Sequence, residues 1–445
     1  MNTANEKRTS IDIINTVVLC LCANSFILAY RHHIFIPIML ILFAAVNIIP
    51  SFSRRYYPGK RLRLCGHGAN CLRIFVRSLI ISVIYHAVAG FWLMPQKWQL
   101  WLLSAAVCTA AEAVVFWNGM ISVYAASLQL GVHHRLVGLL CGMVPVLNLI
   151  VLRRIVKVTE AEVDFEIKKV VLNQSREKEM ICCTKYPLLM VHGVFFRDFR
   201  FFNYWGRIPD ELIKNGAEVY YGEHRSAASV ADSAQELTQR IESIVKESGC
   251  RKVNIIAHSK GGLDCRYAAA FLGADKYIAS LTTVNTPHSG CEFADYLLAK
   301  VPDKSLKAIA EAYNGTLKKL GESEPDFEAA VKDLTASRCA ELTAEMPKQV
   351  GFFCQSVGSK LNKAGGGKFP LNFTYPLVKY FDGSNDGLVS ESAMRWGDRH
   401  IFCETNGVRG ISHGDMIDLN RENISGFDVR EFYVGLVSEL REMGL

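Results

Sequence analysis

The pattern of hydrophobic and polar positions divides this chain into two regimes. Through roughly the first 155 residues, long apolar runs succeed one another. Residues 13–30 (IINTVVLCLCANSFILAY) and 34–52 (IFIPIMLILFAAVNIIPSF) carry no charge. Residues 74–94 carry only Arg77 and His86, and 99–130 only Glu112. A shorter run, 136–152, has Pro145 near its centre. A helix crosses a bilayer with about 20 apolar residues, so the pattern predicts an all-α domain of four or five transmembrane helices over 1–155. Further spans after the first argue against a removable signal peptide. Glu112 and His86, ionisable groups at membrane depth, are expected at a packed helix interface or an interfacial position, with a transport or relay role as the alternative. Residues 156–182 are dense in charge and predict a connector, helical or extended, leading out of the apolar region.

Beyond residue 183 the period changes. Short apolar runs at 186–191 (YPLLMV), 217–222 (AEVYYG), 252–257 (KVNIIA), 277–286 (YIASLTTVNT), 349–357 (QVGFFCQSV) and 399–405 (RHIFCET) predict strands. Residues 229–248 show helical spacing and end at Gly249, a good helix terminator. Short buried strands alternating with helices predict an α/β domain over 183–445 with a mostly parallel central sheet. Residues 291–346 interrupt this alternation with amphipathic helical pattern, expected either as an insertion covering a site or as ordinary crossover helices.

Composition refines this picture in two ways. The net charge of +7 is modest, and basic residues cluster between the apolar runs, which favours a membrane bilayer as partner. The sequence carries no nucleic-acid motif and no internal repeat. Residues 53–73 hold Arg54, Arg55, Lys60, Arg61, Arg63 and Arg73 without an acid, the signature of a cytoplasmic loop. Five spans from there put the C-terminal domain outside, whereas Arg153, Arg154 and Lys157 after the last run point inside. Four spans remove the conflict, and the reading adopted is a multi-pass membrane protein with a cytoplasmic C-terminal domain. Fourteen cysteines without a spacing pattern give no disulfide framework and lean toward a reducing compartment. CGHGANC (65–71) lacks the paired spacing of a metal site.

The candidate chemistry centres on VNIIAHSKGGLD (253–264). A serine between a strand and a helix, with small residues two positions either side, marks a tight turn that lifts the hydroxyl to the sheet edge. Here Ala257 and Gly261 make the pattern A-x-S-x-G around Ser259. A serine nucleophile needs a base, and the base an orienting acid, following the serine in the order acid then histidine. His288 comes too early for that order and His400 opens a strand, which leaves His413 in the loop ISHGDMID. For the acid, the Asn-Asp-Gly turn of FDGSNDGLVS favours Asp386 over Asp382, with Asp398 an outsider. Two backbone amides, those of Val194 and Lys260, are placed to form an oxyanion hole. The Lys260 side chain is expected in solvent. The aromatic run FFRDFRFFNYW (195–205) suggests an acyl pocket, a membrane contact or core packing.

The segments LLMVHGVFFRD, FNYWGRI, NIIAHSKGGLDCRY, TTVNTPHSG, NDGLVS and ISHGDMID occur in an order and spacing that resemble the bacterial triacylglycerol lipases of the α/β-hydrolase superfamily, over about residues 185–430. The resemblance implies Ser259 as nucleophile, Asp386 as acid, His413 as base, and Val194 and Lys260 as oxyanion donors. It implies a lipid or other carboxylic ester substrate and no required cofactor. It also suggests a structural calcium ion near the histidine, for which Asp415, two residues after His413, is the matching ligand and Asp418 a neighbour. The membrane domain departs from that family. An acyltransferase or thioesterase using the same residues, and a non-catalytic membrane scaffold with a hydrolase-like domain, are the alternatives. Oligomeric state and natural substrate are not legible.

Overall fold

The computed structural model describes residues 2–48, 57–142, 144, 147–194, 203–319, 321–322, 324–347 and 351–445. The chain forms two compact units, Met1–Gln174 and Ser175–Leu445.

The first unit is all helical: α1 (Asn2–Ala23), α2 (Phe26–Arg31), α3 (Phe35–Ile48), α4 (Lys60–Ala126), α5 (Gly131–Cys141) and α6 (Leu147–Arg176). Among the described residues, α4 is the helix long and apolar enough to cross a membrane, while the apolar stretches Asp12–Ala23 and Phe35–Ile48 are shorter. Helix α4 is broken at Lys97, two residues after Pro95. A helix-interior proline removes a hydrogen bond and clashes with the preceding turn, which explains the break. The two halves pack back on each other as an antiparallel hairpin. Ser78 donates to Glu112 (2.6 Å), Ser104 pairs with His86 (3.3 Å), and Trp101 Nε1 donates to the His86 carbonyl (2.9 Å). A Cβ on Gly68 would lie 2.8 Å from the Gly119 carbonyl oxygen, so the missing side chain sets how closely the halves approach.

Two expectations are corrected here. The basic stretch 53–73 is not a loop over its described part, because α4 begins at Lys60. Two of its arginines are instead paired with acids: Arg61 with Glu162 (2.5 Å), and Arg73 with Asp12 (2.8 Å) and Glu160 (2.9 Å). The fifth apolar run is not one helix. It is divided between α5 and α6, and α6 carries on through the charged stretch as one continuous helix. Residues 49–56 of the predicted second span and loop lie outside the described residues.

The second unit is a six-stranded sheet of β1 (Leu188–Val191), β2 (Val219–Tyr221), β3 (Val253–His258), β4 (Ile278–Val284), β5 (Phe353–Ser359) and β6 (Arg399–Cys403). All pairings are parallel, in the order β2-β1-β3-β4-β5-β6. Around it lie α7 (Ile208–Lys214), α8 (Val230–Ser248), α9 (Lys260–Phe271), then α10 (Glu292–Lys300), α11 (Asp303–Lys319), α12 (Phe327–Lys332) and α13 (Ala336–Glu345) between β4 and β5, and finally α14 (Leu371–Asp382) and α15 (Val429–Glu442). Period-2 alternation explains why both sheet faces are dry. Leu188 and Met190 pack with Ile208, Leu212, Tyr433 and Val437 on one side. Leu189 and Val191 pack with Leu237, Ile241 and Ala268 on the other. Each such side chain, fully buried, contributes about 1.5–3 kcal/mol, so the sheet is a rigid platform. Strand order reverses beside β1 and β3, and in open α/β sheets ligands bind beyond the carboxyl ends of the strands at such a point. Ser259 stands directly at the end of β3.

Candidate active site

Ser259 joins β3 to α9 with φ 56° and ψ −131°. A serine at positive φ is strained, and close packing holds it there. A Cβ on Gly261 would meet the His192 carbonyl oxygen at 2.4 Å, and one on Gly193 would meet Ser259 Cβ at 2.7 Å. Only glycine fits either place. The Ser259 amide donates to the Val284 carbonyl (2.9 Å), which pins the turn to β4. The Val194 and Lys260 amides donate to no protein acceptor among the described residues. For Lys260 this follows from its place in the first turn of α9, where amides have no intrahelical partner.

Asp386 and His413 come together although 27 residues separate them. His413 Nδ1 donates to Asp386 Oδ2 (2.7 Å), and the His413 amide donates to the Asp386 carbonyl (2.9 Å). Asp386 is fully buried. Its Oδ1 accepts from the Leu388 (2.9 Å) and Val389 (2.8 Å) amides, and its Oδ2 also accepts from Asn285 Nδ2 (2.6 Å). The carboxylate is therefore held on every side. It fixes the His413 ring so that Nε2, the free nitrogen, is available as a base. No hydrogen bond joins Ser259 to His413 among the described residues. Such bonds are often long without substrate and tighten in the reacting complex. Asp382 instead caps α10, accepting from the Glu292 (3.0 Å) and Phe293 (3.2 Å) amides, and Asp398 accepts from the Cys354 amide (3.3 Å).

Sequence reasoning missed three supporting groups. His258 precedes the serine, and its ring centroid lies 4.4 Å from that of His413. Its Nε2 donates to the His413 carbonyl (3.2 Å), and its Nδ1 accepts from Tyr204 Oη (2.7 Å). Tyr204 Oη in turn accepts from the Gly193 amide (3.1 Å). Burial pushes the His258 imidazole well below its ordinary pKa, which keeps one nitrogen an acceptor and the chain of bonds intact. Asn285, at positive φ beyond β4, is the third. The signal available for it was an Asn ending an apolar strand. The aromatic stretch 195–202 lies outside the described residues; Tyr204 and Trp205 are core residues.

The Lys260 side chain is not in solvent, and this corrects the expectation. It is fully buried, and Nζ donates to Asp264 Oδ1 (2.7 Å) and Ser233 Oγ (2.8 Å). Burial raises the Asp264 carboxyl to about 6, against the pull of Lys260.

The carboxylates suggested for calcium are already taken by cations of the chain. Asp415 accepts from Arg409 Nη1 (2.7 Å) and Nη2 (3.0 Å), and its Oδ2 also accepts from the Ser412 amide and hydroxyl (both 2.7 Å). Asp418 is forked by Arg207 through Nε (2.7 Å) and Nη2 (2.8 Å). Among the described residues no cluster of three or more His, Cys, Asp or Glu is arranged to hold a metal. A calcium ion needs six to eight oxygen ligands, and this donor set does not fit one.

No family model matches the chain. It is 32% identical over 309 residues to a triacylglycerol lipase of Pseudarthrobacter phenanthrenivorans, a match covering 54% of this chain and 96% of that protein. It is likewise 32% identical over 309 residues to a triacylglycerol lipase of Burkholderia plantarii, covering 54% and 86%. Among solved structures it is similar to Staphylococcus hyicus lipase, at 17% identity and a TM-score of 0.45, covering 59% of this chain and 98% of that one. Nearly the whole length of a curated lipase is thus aligned with part of this chain, and on that ground the chain belongs to the triacylglycerol lipase family and is a carboxylic ester hydrolase.

Proposed function

We propose that this chain is a multi-pass membrane protein whose second unit hydrolyses lipid esters through Ser259, His413 and Asp386. The observation that carries the reading is the 2.7 Å bond from His413 Nδ1 to a buried Asp386, formed by the loop that lies against the strained Ser259 turn. His413 Nε2 takes the Ser259 hydroxyl proton as Oγ attacks the ester carbonyl. The tetrahedral oxyanion is stabilised by the Val194 and Lys260 amides. The intermediate collapses, and the departing alcohol takes the proton back from His413. Water, deprotonated by His413, then attacks the acyl-Ser259 ester; the Ser259 oxygen leaves, takes that proton back from His413, and the carboxylic acid is released. Asp386 orients the ring and stabilises its charged form throughout. No cofactor is needed for any of these steps.

The membrane part of the proposal rests on the first unit. Its hairpin carries large apolar side chains that the fold leaves exposed, among them Ile80, Ile84, Trp92, Leu103, Trp117 and Ile121. A contiguous apolar surface of this kind is unusual against water and ordinary against lipid. With α4 folded at Lys97, each half serves as a span, and α1 and α3 flank them. We place the second unit on the cytoplasmic side, a reading supported by fourteen cysteines that are all free. The substrate class proposed is a long-chain acyl ester met at the bilayer.

The test is hydrolysis of p-nitrophenyl esters of increasing chain length by the detergent-purified full chain beside Ser259→Ala. Serine-dependent activity rising with chain length supports the proposal. Activity unaffected by the substitution refutes the assigned nucleophile. Acyl transfer to added glycerol exceeding hydrolysis makes the chain a transferase.

A further inference from the structure

We propose that the first unit contains a binding site for a single-chain lipid with a hydroxyl headgroup, an acylglycerol or long-chain alcohol, anchored on Glu112. The site is a cavity of about 410 Å³ between the α4 hairpin, α5 and α6, within the range of about 300–1,000 Å³ typical of small-molecule sites. Its walls are largely apolar, with Phe75, Leu79, Phe116, Met120 and Leu152 among them.

One charged group faces this space. Glu112 is 2% exposed. Its Oε1 accepts from Ser78 (2.6 Å) and Ser82 (3.4 Å), whereas Oε2 is buried with no hydrogen-bond partner. The His86 ring in the lining is already committed. His86 Nδ1 donates to the Ser82 carbonyl (3.0 Å), so Nε2 is left to accept from Ser104 (3.3 Å), and neither nitrogen is free to serve Glu112. An unsatisfied oxygen in such surroundings is costly, and a ligand that supplies its partner is stabilised accordingly.

The chemistry of the partner follows from the lining, which contains no Lys or Arg. A phosphate or fatty-acid headgroup finds no counter-charge there and is opposed by Glu112. An ammonium head requires the carboxyl ionised. A hydroxyl both donates and accepts, so it pairs with Oε2 in either protonation state, while its chain fills the apolar part of the cavity. Alcohols of this class are also what lipid ester hydrolysis releases. The inference depends on the membrane-spanning reading of the first unit for the route by which a lipid arrives.

The experiment uses the full chain in detergent and a diazirine-bearing 1-O-alkylglycerol, an ether that the hydrolase cannot cleave. After irradiation, adducts are mapped by peptide mass. The expected adducts lie within 75–86, 105–120 or 149–155, are competed by unlabelled alkylglycerol and not by fatty acid, and persist in Ser259→Ala. Glu112→Gln keeps them because an amide still pairs with a hydroxyl, and Glu112→Leu loses them by about tenfold, the worth of one hydrogen bond. Ala113→Phe, which fills the cavity without touching the carboxyl, also abolishes them, and helical circular dichroism and a melting temperature equal to those of the unaltered chain show that the Glu112 and Ala113 variants are folded. Equal labelling in Glu112→Leu, equal competition by fatty acid, or adducts confined to the second unit overturn the proposal. Alkaline carbonate extraction of membranes is run alongside. Release of the chain refutes the spanning reading, whereas the cross-linking decides the site.

Discussion

Asp386 spends both of its oxygens on donors, and the one shared between Asn285 and His413 is the one that orients the base. Asp386→Asn puts an amide where only an acceptor serves, and His413 is expected to turn to the wrong tautomer. The outcome is a kcat lower by about 10³–10⁴ with KM little changed, checked by steady-state hydrolysis of a short-chain ester; a loss below tenfold contradicts the assignment. The residue scale also sets a pH dependence. Burial holds the His258 and His288 imidazoles well below the ordinary histidine value. As pH falls past about 6.5 the unfolded chain binds protons that the folded chain refuses, and each site removes about 1.4 kcal/mol of stability per pH unit. Asp264, raised to about 6, works in the opposite sense. The folded chain takes its proton first, gaining a similar amount per unit between about pH 6 and pH 4. His400 is held low in the same sense, so the losing histidines outnumber the gaining carboxyl and leave a net loss of at least about 1.4 kcal/mol per unit from pH 6 to 5. Thermal inactivation of the full chain reads it, and His288→Gln should flatten the slope. A chain that becomes more stable over that interval contradicts the account. Ser259, Asp386 and His413 were each nameable from sequence because a turn motif and chain order constrain them. Tyr204, His258 and Asn285 were not, because their roles exist only once strands distant in sequence are side by side.

At the scale of elements, the His413 loop is tied down by arginines of the chain. Arg409 spans Asp415 and Glu422 (2.9 Å), and Arg207 ties Asp418 to the segment entering α7. Asp415 is buried while Arg409 is partly exposed, so removing the arginine leaves a buried carboxylate without its counter-charge. Arg409→Ala should therefore loosen the loop and lower kcat, while EDTA leaves the unaltered protein within twofold of its activity. Inactivation by EDTA with recovery on added calcium would contradict this reading, and the assay is a direct comparison of initial rates. The carboxylate at His413 + 2 was visible in the sequence, but its cation was not, since Arg409 precedes the histidine and carries no motif. Strands were legible because apolar runs between Gly and Asn punctuation have little freedom. The helical start of α4 was not, because a run of arginines reads as a solvated loop until the acids of α6 that pair with two of them are in place. The break of α4 falls beside Pro95, in the gap between the apolar runs 74–94 and 99–130.

At the scale of the molecule, the two units differ in which side chains they bury. The sheet unit buries both faces against its own helices, whereas the helical unit leaves large apolar side chains outside. Lipase relatives align with 54% of the chain, so the helical unit is what sets this protein apart from them. The proposed orientation makes a prediction through Cys183, an exposed free thiol in the second unit. A membrane-impermeant maleimide should modify it in inside-out vesicles and leave it unmodified in right-side-out cells, read by peptide mass; the reverse pattern places the hydrolase outside. The central claim, that Ser259 is the nucleophile of a working triad, is tested most directly by covalent trapping. The full chain is treated with a fluorophosphonate, and the modified peptide is identified by mass. The account predicts one adduct, on Ser259, absent from Ser259→Ala and strongly slowed in His413→Ala. Modification of another serine, or none at all in a protein that hydrolyses esters, would contradict it.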